Sequence, residues 1–230
     1  MNELILNSST VGVVISILGY EIGLFLKSKY KNALLNPLLI SIVFVMVFIL
    51  IFHIDYESYN DSAKYLSYLL TPATVCLAIP LYQQLELLKQ NFLAVFTGII
   101  AGVLTSLGSV FILSILFQLS HEEYVTLLPK SITTAIGMGI SKELGGIVNI
   151  TVAVIIITGV LGNVMAESIC KIFKIKTAIA KGVAIGSSAH AVGTAKAMEM
   201  GEIEGAMSSL AIVVSGLCTT IGASIFANLR

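Results

Sequence analysis

The feature that most constrains this chain is the length of its stretches without Asp, Glu, Lys or Arg. Six of them are long enough, or nearly so, to cross a bilayer, which takes about 20 mostly apolar residues. They are Leu4–Tyr20, Asn32–Ile54, Tyr65–Leu85, Gln90–Ser120, Leu144–Ala166 and Gly205–Leu229. Charged residues make up only 11% of the chain, against roughly 25% in soluble domains. This composition excludes an ordinary soluble enzyme, a disordered protein and a basic nucleic-acid binder, and predicts an all-α polytopic protein embedded in lipid.

Two shorter charge-free stretches, Ser131–Ser141 and Gly182–Ala195, are rich in Gly, Ser and Thr. Basic loops favour the cytoplasm, which places the N-terminus outside and the Lys171–Lys181 loop inside. A full crossing by the first short stretch would put that loop outside. We therefore expect six full spans plus two re-entrant segments, the first entering from outside and the second from the cytoplasm. The alternative is eight crossings, with two short polar helices buried by protein.

The second half of the chain contains a repeat at a spacing of 54 residues. The matching positions are Thr133 with Ser187, Thr134 with Ser188, Ala135 with Ala189, Gly139 with Gly193, Lys142 with Lys196 and Gly162 with Gly216. With the opposite entry sides above, the pattern predicts an inverted repeat, an arrangement typical of secondary transporters. We expect one membrane domain over 1–230, with N-terminal spans in 1–126 and two inverted units in 127–230.

Helices that stop within a membrane expose backbone N–H groups and a partial positive charge, which attract anions. Ser and Thr hydroxyls beside such ends suit a carboxylate. The predicted substrate-binding residues are Ser131, Thr133, Thr134, Ser187, Ser188, His190, Thr194 and Lys196, with further lining from Asn36, Pro72, Thr74 and Lys130. We expect the tips of the two stretches to meet near the bilayer midplane. The competing interpretation is that the small residues only allow close helix packing.

Single residues in these stretches also have two interpretations. His190 is a proton-relay or substrate-ligand candidate, or a histidine hydrogen-bonded to a hydroxyl in a packed turn. Lys196 pairs with a substrate carboxylate or with a nearby glutamate such as Glu199, or extends to the interface. Pro72 and Pro80 predict a broken third span. The sequence contains no catalytic constellation, so we expect no enzyme activity, no cofactor and no metal site.

Five blocks of the sequence resemble the LrgB/CidB family, and the resemblance covers nearly the whole chain. The blocks begin at Asn36-Pro37, Leu70-Thr71-Pro72, Ala78-Ile79-Pro80, Leu128-Pro129-Lys130-Ser131 and Ala189-His190-Ala191. Two departures from the family pattern are Ala135, where Pro is usual, and Lys196, where Arg is usual. Lysine keeps the charge but loses the bidentate geometry that arginine offers a carboxylate.

The resemblance implies two functions. One is transport of small monocarboxylates or 2-hydroxy acids such as pyruvate, glycolate, glycerate and lactate, because the plant plastid relative is a glycolate/glycerate translocator. The other is antiholin-like regulation of murein hydrolases and autolysis with a small LrgA/CidA-type membrane partner. The residue pattern favours transport. We further expect a multi-pass protein of the bacterial cytoplasmic membrane, in some cases a homo-oligomer, with no nucleic-acid partner.

Overall fold

The computed structural model describes residues 10–30, 35–76 and 78–230. The chain divides into two compact units, Met1–Cys76 and Leu77–Arg230. The described residues form helices and contain no strand, so the all-α prediction is confirmed for them. The expected division near residue 126 stays a prediction.

Three details of the sequence prediction fall on residues that the structure does not describe. They are the start of the first span at Leu4, the start of the second at Asn32, and the side chain of Thr74. The predicted location of the N-terminus outside the membrane concerns the same undescribed beginning of the chain.

The described residues of the first unit form four helices. They are α1 (Val11–Tyr30), α2 (Pro37–Ile51), α3 (Tyr56–Tyr68) and α4 (Leu70–Cys76). A methyl group added at Gly23 would lie 2.6 Å from the Cα of Pro37, and the backbone N–H of Gly12 donates to the Ser62 hydroxyl at 3.1 Å. These contacts let α1 approach both α2 and α3 closely, as is common between helices in lipid.

The second unit contains the elements that build the candidate site. They are α5 (Ala78–Gln83), α6 (Leu85–Gln90), α7 (Phe92–Leu116), α8 (His121–Leu127), α9 (Thr134–Glu143), α10 (Val148–Ile172), α11 (Ala178–Met200) and α12 (Glu202–Ala227). Its apolar core joins α7, α8, α11 and α12 through residues such as Ile99, Leu107, Tyr124 and Met207.

Four described helices, α1, α7, α10 and α12, are long and apolar enough to cross a membrane. The chain is therefore an integral membrane protein of helical type. The first of these helices continues past Glu21, which is exposed, and ends at Tyr30. The second predicted span contains the shorter apolar helix α2. The count of six spans stays a prediction.

The predicted third span, Tyr65–Leu85, does not form one long helix in the residues that the structure describes. It is divided among the end of α3, the short helices α4 and α5, and the start of α6. Pro72 and Pro80 lie in the two short helices. Since proline removes a backbone donor and clashes with the preceding turn, this division agrees with the predicted break.

The first polar stretch belongs to a helical hairpin formed by α8 and α9. Ser120 caps α8 together with Glu123, and the hydrogen bonds from the Ser120 backbone and hydroxyl lower the pKa of Glu123. The chain then reverses direction and brings Gly137 beside Pro129. A methyl group added at Gly137 would lie 3.5 Å from the Pro129 carbonyl oxygen. Thr151 of α10 bonds both Thr126 and Ser141, at 2.9 and 2.7 Å. The two arms are therefore antiparallel.

The second polar stretch is also a helical hairpin, formed within α11. Its helix is interrupted at Ala189 (φ −130°, ψ 17°) and His190 (φ 42°, ψ −144°). Beyond the break the chain returns along the first arm. A methyl group added at Gly193 would lie 3.0 Å from Cγ2 of Ile185, whereas residues eight apart in a continuous helix are separated by about 12 Å. Both arms reach Ser208 of α12, through Gly186 and Thr194 respectively. The predicted stretch thus enters and leaves on one side of the unit.

We expect Gly186→Ala to destabilise the packing of α11 on α12 by about 1–3 kcal/mol, the usual cost of overpacking. The added methyl group would lie inside van der Waals contact with the Ser208 carbonyl oxygen. Gly108→Ala is the matched control, since no atom lies within 4 Å of its added methyl group. The control should be neutral or stabilising, because alanine is more favourable than glycine inside a helix by about 0.5–1 kcal/mol. Thermal unfolding in detergent measures both; equal stability of the two variants would contradict the packing described here.

Candidate functional site

The tips of the two hairpins contact neighbouring turns in the middle of α7. The Ser131 hydroxyl, at the first tip, lies 2.8 Å from the Ser106 hydroxyl. A methyl group added at Gly102 would lie 2.8 Å from the Ser187 hydroxyl, which comes just before the second tip. Residues four apart on a helix are separated by about one turn, or 5.4 Å. The two polar stretches, distant in sequence, are therefore brought to the same part of the fold.

A cavity of about 710 Å³ lies between these elements. Four of the residues predicted from the sequence line it: Lys130, Ser131, Ser187 and Ser188. The polar residues that α7 and its preceding turn add to the wall are Asn91, Thr105, Ser106 and Ser109. Among the described residues, the cavity thus combines several hydroxyl groups with the ammonium group of Lys130, on walls that are mostly apolar.

Lys130 is the charged residue of this cavity. Its ammonium group donates to the Ser131 hydroxyl at 3.2 Å, and its side chain is half-buried. In the described part of the chain no carboxylate forms an ion pair with it. A partly buried cation without a counter-ion favours the entry of an anion.

The serine hydroxyls of the second stretch already have partners. Ser187 donates to the Val183 carbonyl and Ser188 to the Ala184 carbonyl, both at 2.7 Å. This bonding to the preceding turn is common for serine inside helices. Each hydroxyl must rotate away from its carbonyl before it can donate to a ligand, so the two serines hold an anion less strongly than unpaired donors would.

Thr133 and Thr134 occupy the start of α9. Thr133 is the N-cap residue, without a side-chain capping bond, and both threonines are half-buried. Neither lines the cavity. Of the four hydroxyls aligned by the repeat, those of Ser187 and Ser188 therefore line the cavity and those of the two threonines do not. The first hairpin contributes the Ser131 hydroxyl instead.

His190 is buried at the second tip, with 4% of its surface exposed. Its Nε2 lies 3.0 Å from the Ile155 carbonyl oxygen of α10, and its ring packs on Gly159, where an added methyl group would lie 2.6 Å from Cε1. Asn163 of α10 donates to the Val192 carbonyl at 2.7 Å. This is a packed turn, as one interpretation of the sequence expected, although the partner is a carbonyl rather than a hydroxyl.

Thr194 and Lys196 lie on the returning arm, away from the cavity lining. The Thr194 hydroxyl is fully buried and bonds the His190 carbonyl at 3.0 Å and the Ser208 hydroxyl at 2.7 Å. The Lys196 ammonium pairs with Glu167 at 2.7 Å and Glu199 at 3.2 Å. The pair with Glu199 was one of the interpretations of Lys196 that the sequence allowed. The pair with Glu167 joins α11 to α10 and could not be read from local spacing.

The remaining predicted lining residues lie in the first unit. The Asn36 side chain accepts from the backbone N–H groups of Leu38 and Leu39 and so caps α2. Pro72 is exposed in α4, and the side chain of Thr74 lies outside the described residues.

The contribution of α7 was not predicted, although the sequence carries a signal for it. Gly98, Gly102, Ser106 and Ser109 recur at helical spacing and form a stripe of small residues along a mostly apolar helix. The side chains of the described residues form no group of three or more His, Cys, Asp or Glu suited to a metal ion. The chemistry available in the cavity is therefore hydrogen bonding and the attraction of an anion.

Comparison with known proteins agrees with a helical membrane protein of this kind. The LrgB-like family matches residues 16–229. The antiholin-like protein LrgB of Bacillus subtilis is 37% identical over 95% of both chains. The holin-like protein CidB of Staphylococcus epidermidis is 34% identical over 96% of both chains, and that of Staphylococcus aureus 35% over 91%. The chain belongs to the LrgB-like family. No solved structure matches it.

We expect His190→Gly to be more stable than His190→Ala by about 1 kcal/mol. Both variants lose the hydrogen bond to Ile155, but only glycine adopts the positive φ of this position without strain. Thermal unfolding of the two variants in detergent measures the difference. A more stable alanine variant would contradict the tight break at the second tip.

Proposed function

We propose that this chain is a holin- or antiholin-like membrane protein that regulates murein hydrolase activity, and through it autolysis, with a small LrgA/CidA-type membrane protein as partner. The observation that carries the proposal is similarity over at least nine-tenths of the chain to relatives that bear the names antiholin-like LrgB and holin-like CidB. The family match over residues 16–229 includes both hairpins and the residues that line the cavity between them. The bacterial cytoplasmic membrane is the proposed location.

Deletion of this chain from its bacterium should change detergent-induced lysis and the pattern of secreted murein hydrolases on a zymogram. Re-expression of the intact chain together with the small partner should restore both. A matched strain that re-expresses the partner alone tests whether this chain is needed. Unchanged lysis and an unchanged zymogram after deletion would contradict the proposal.

A second candidate function, transport of a small monocarboxylate or 2-hydroxy acid, is favoured by the position of Lys130. Its ammonium group faces hydroxyls in a cavity large enough for pyruvate, glycolate, glycerate or lactate, and the described residues supply no carboxylate partner. Moving a carboxylate out of water costs several kcal/mol unless it is paired. Charge-assisted hydrogen bonds return roughly 1.5–3 kcal/mol each, so the ammonium and one or two hydroxyls offset much of that cost.

The packing of the two hairpins supports an inverted repeat, an arrangement typical of secondary transporters with alternating access. Gly162 of α10 packs against Ala189 at the second tip. Gly216 of α12, the repeat partner of Gly162, packs against Ile136 in the first hairpin. Ile136 corresponds to His190 at the 54-residue spacing. Each long helix thus contacts the hairpin of the other repeat, as expected for two repeats related by a pseudo-twofold axis.

The proposed membrane arrangement follows from these contacts. The first hairpin and the end of α12 share one side of the unit, since the Tyr124 hydroxyl donates to the Phe226 carbonyl at 2.9 Å. The second hairpin opens on the other side, beside the start of α12, where Gly182 contacts Glu204. Six full spans and two re-entrant hairpins from opposite faces remain our proposal for the whole chain, with the tips near the midplane.

For the transport function we expect Lys130→Met to weaken apparent affinity for the acid by about tenfold or more, which is the loss of roughly 1.5–3 kcal/mol. Lys142→Met is the matched control, because Lys142 is exposed near the end of α9 and does not line the cavity. Uptake of labelled pyruvate, lactate, glycolate and glycerate into proteoliposomes measures both, first with this chain alone and then with the small partner. Absence of flux under both conditions would exclude transport and leave the regulatory function.

A further inference from the structure

A second cavity, of about 620 Å³, lies where the end of α10 meets the two ends of α11 and the start of α12. It shares no lining residue with the hydroxyl-lined cavity. The charged residues in its wall are Lys171, Lys174, Lys176, Lys181, Glu167 and Glu204. It therefore holds two more positive than negative groups, in a protein whose net charge is zero.

The two carboxylates are already compensated within the protein. Glu204 is buried, lies 3.9 Å from the Lys181 ammonium, and belongs to the first turn of α12, where the helix dipole favours a negative charge. Glu167 pairs with Lys196, outside the cavity, at 2.7 Å and lies 3.9 Å from Lys171. Neither carboxylate is left to neutralise the other lysines.

Lys174 and Lys176 are the uncompensated groups. Lys174 has a φ of 54° and follows the end of α10, where the Ile175 N–H donates to the Cys170 carbonyl at 2.8 Å, a common way to terminate a helix. Both lysines are exposed, and neither forms an ion pair within the described ranges. The wall of the cavity also includes the apolar side chains of Ile175 and Met200.

We propose that this cavity binds a phosphate-bearing anion with a small organic part, supplied either by a phospholipid headgroup or by a soluble phosphate compound. Lysines around a recess between membrane helices suit such ligands, because the phosphate accepts several charge-assisted hydrogen bonds. The ligand would join the loop after α10 to the base of the second hairpin. The site adds a binding function to the proposed ones and rests on neither of them.

The experiment uses the full chain with one introduced tryptophan as a reporter, because the natural sequence contains none. Ile175→Trp places the fluorophore in the cavity wall, and Met200→Trp is the alternative if the first variant folds poorly. Inorganic phosphate is titrated in detergent, with chloride at equal ionic strength as reference. In a second arm the protein is placed in nanodiscs of phosphatidylcholine with increasing phosphatidylglycerol.

We expect a saturable fluorescence change. The double variant Lys174→Gln with Lys176→Gln should lower the apparent affinity by about tenfold, since each lysine contributes appreciably to binding an anionic ligand. The matched control, Lys27→Gln with Lys29→Gln, removes the same charge from the end of α1 and should change affinity less than twofold. Saturation by phosphate in detergent identifies a soluble ligand; a response confined to phosphatidylglycerol identifies a lipid. Absence of saturation in both arms, or an equal loss in the control variant, would overturn the proposal.

Discussion

Backbone groups that leave a helix where the protein excludes water must find hydrogen-bond partners within the protein, and the break in the second hairpin meets this constraint. Asn163 donates to the Val192 carbonyl, and the Thr194 hydroxyl donates to the His190 carbonyl. The His190 ring bonds the Ile155 carbonyl from the same turn. The break is thus held by α10 and by its own returning arm, which explains how a reversal of direction is stable there.

The same constraint explains where the glycines lie. Gly159 and Gly162 of α10 leave room for the second tip, and Gly182 and Gly186 let its first arm lie directly on α12. Hydrophobic burial adds little to helix association in lipid, so close packing and internal hydrogen bonds carry it. The second tip is consequently positioned by close backbone contacts at glycines. The hydroxyl-lined cavity forms between the two hairpins and α7.

Much of this arrangement was predictable because lipid imposes simple rules on sequence. Charge-free stretches predicted α7, α10 and α12, and the small polar residues of Gly182–Ala195 mark the segment in which α11 is interrupted. The positions of Ser187 and Ser188 at a cavity followed from the same pattern. Thr133 and Thr134 did not follow it, because the first hairpin leaves the helix before Thr134, ahead of the position that matches the break at His190, and Lys130 and Ser131 line the cavity instead.

The sequence by itself determined the helical membrane class, the family and the two polar stretches, since each depends on local composition or on linear motifs. Only the tertiary structure decided which polar groups meet. Among the described residues Lys130 has no carboxylate partner, while Lys196 pairs with Glu167 and Glu199, although both lysines adjoin a polar stretch. The reason is physical: partners on different helices are chosen by helix packing and by the direction of each hairpin arm, and neither is encoded in the spacing of residues along the chain.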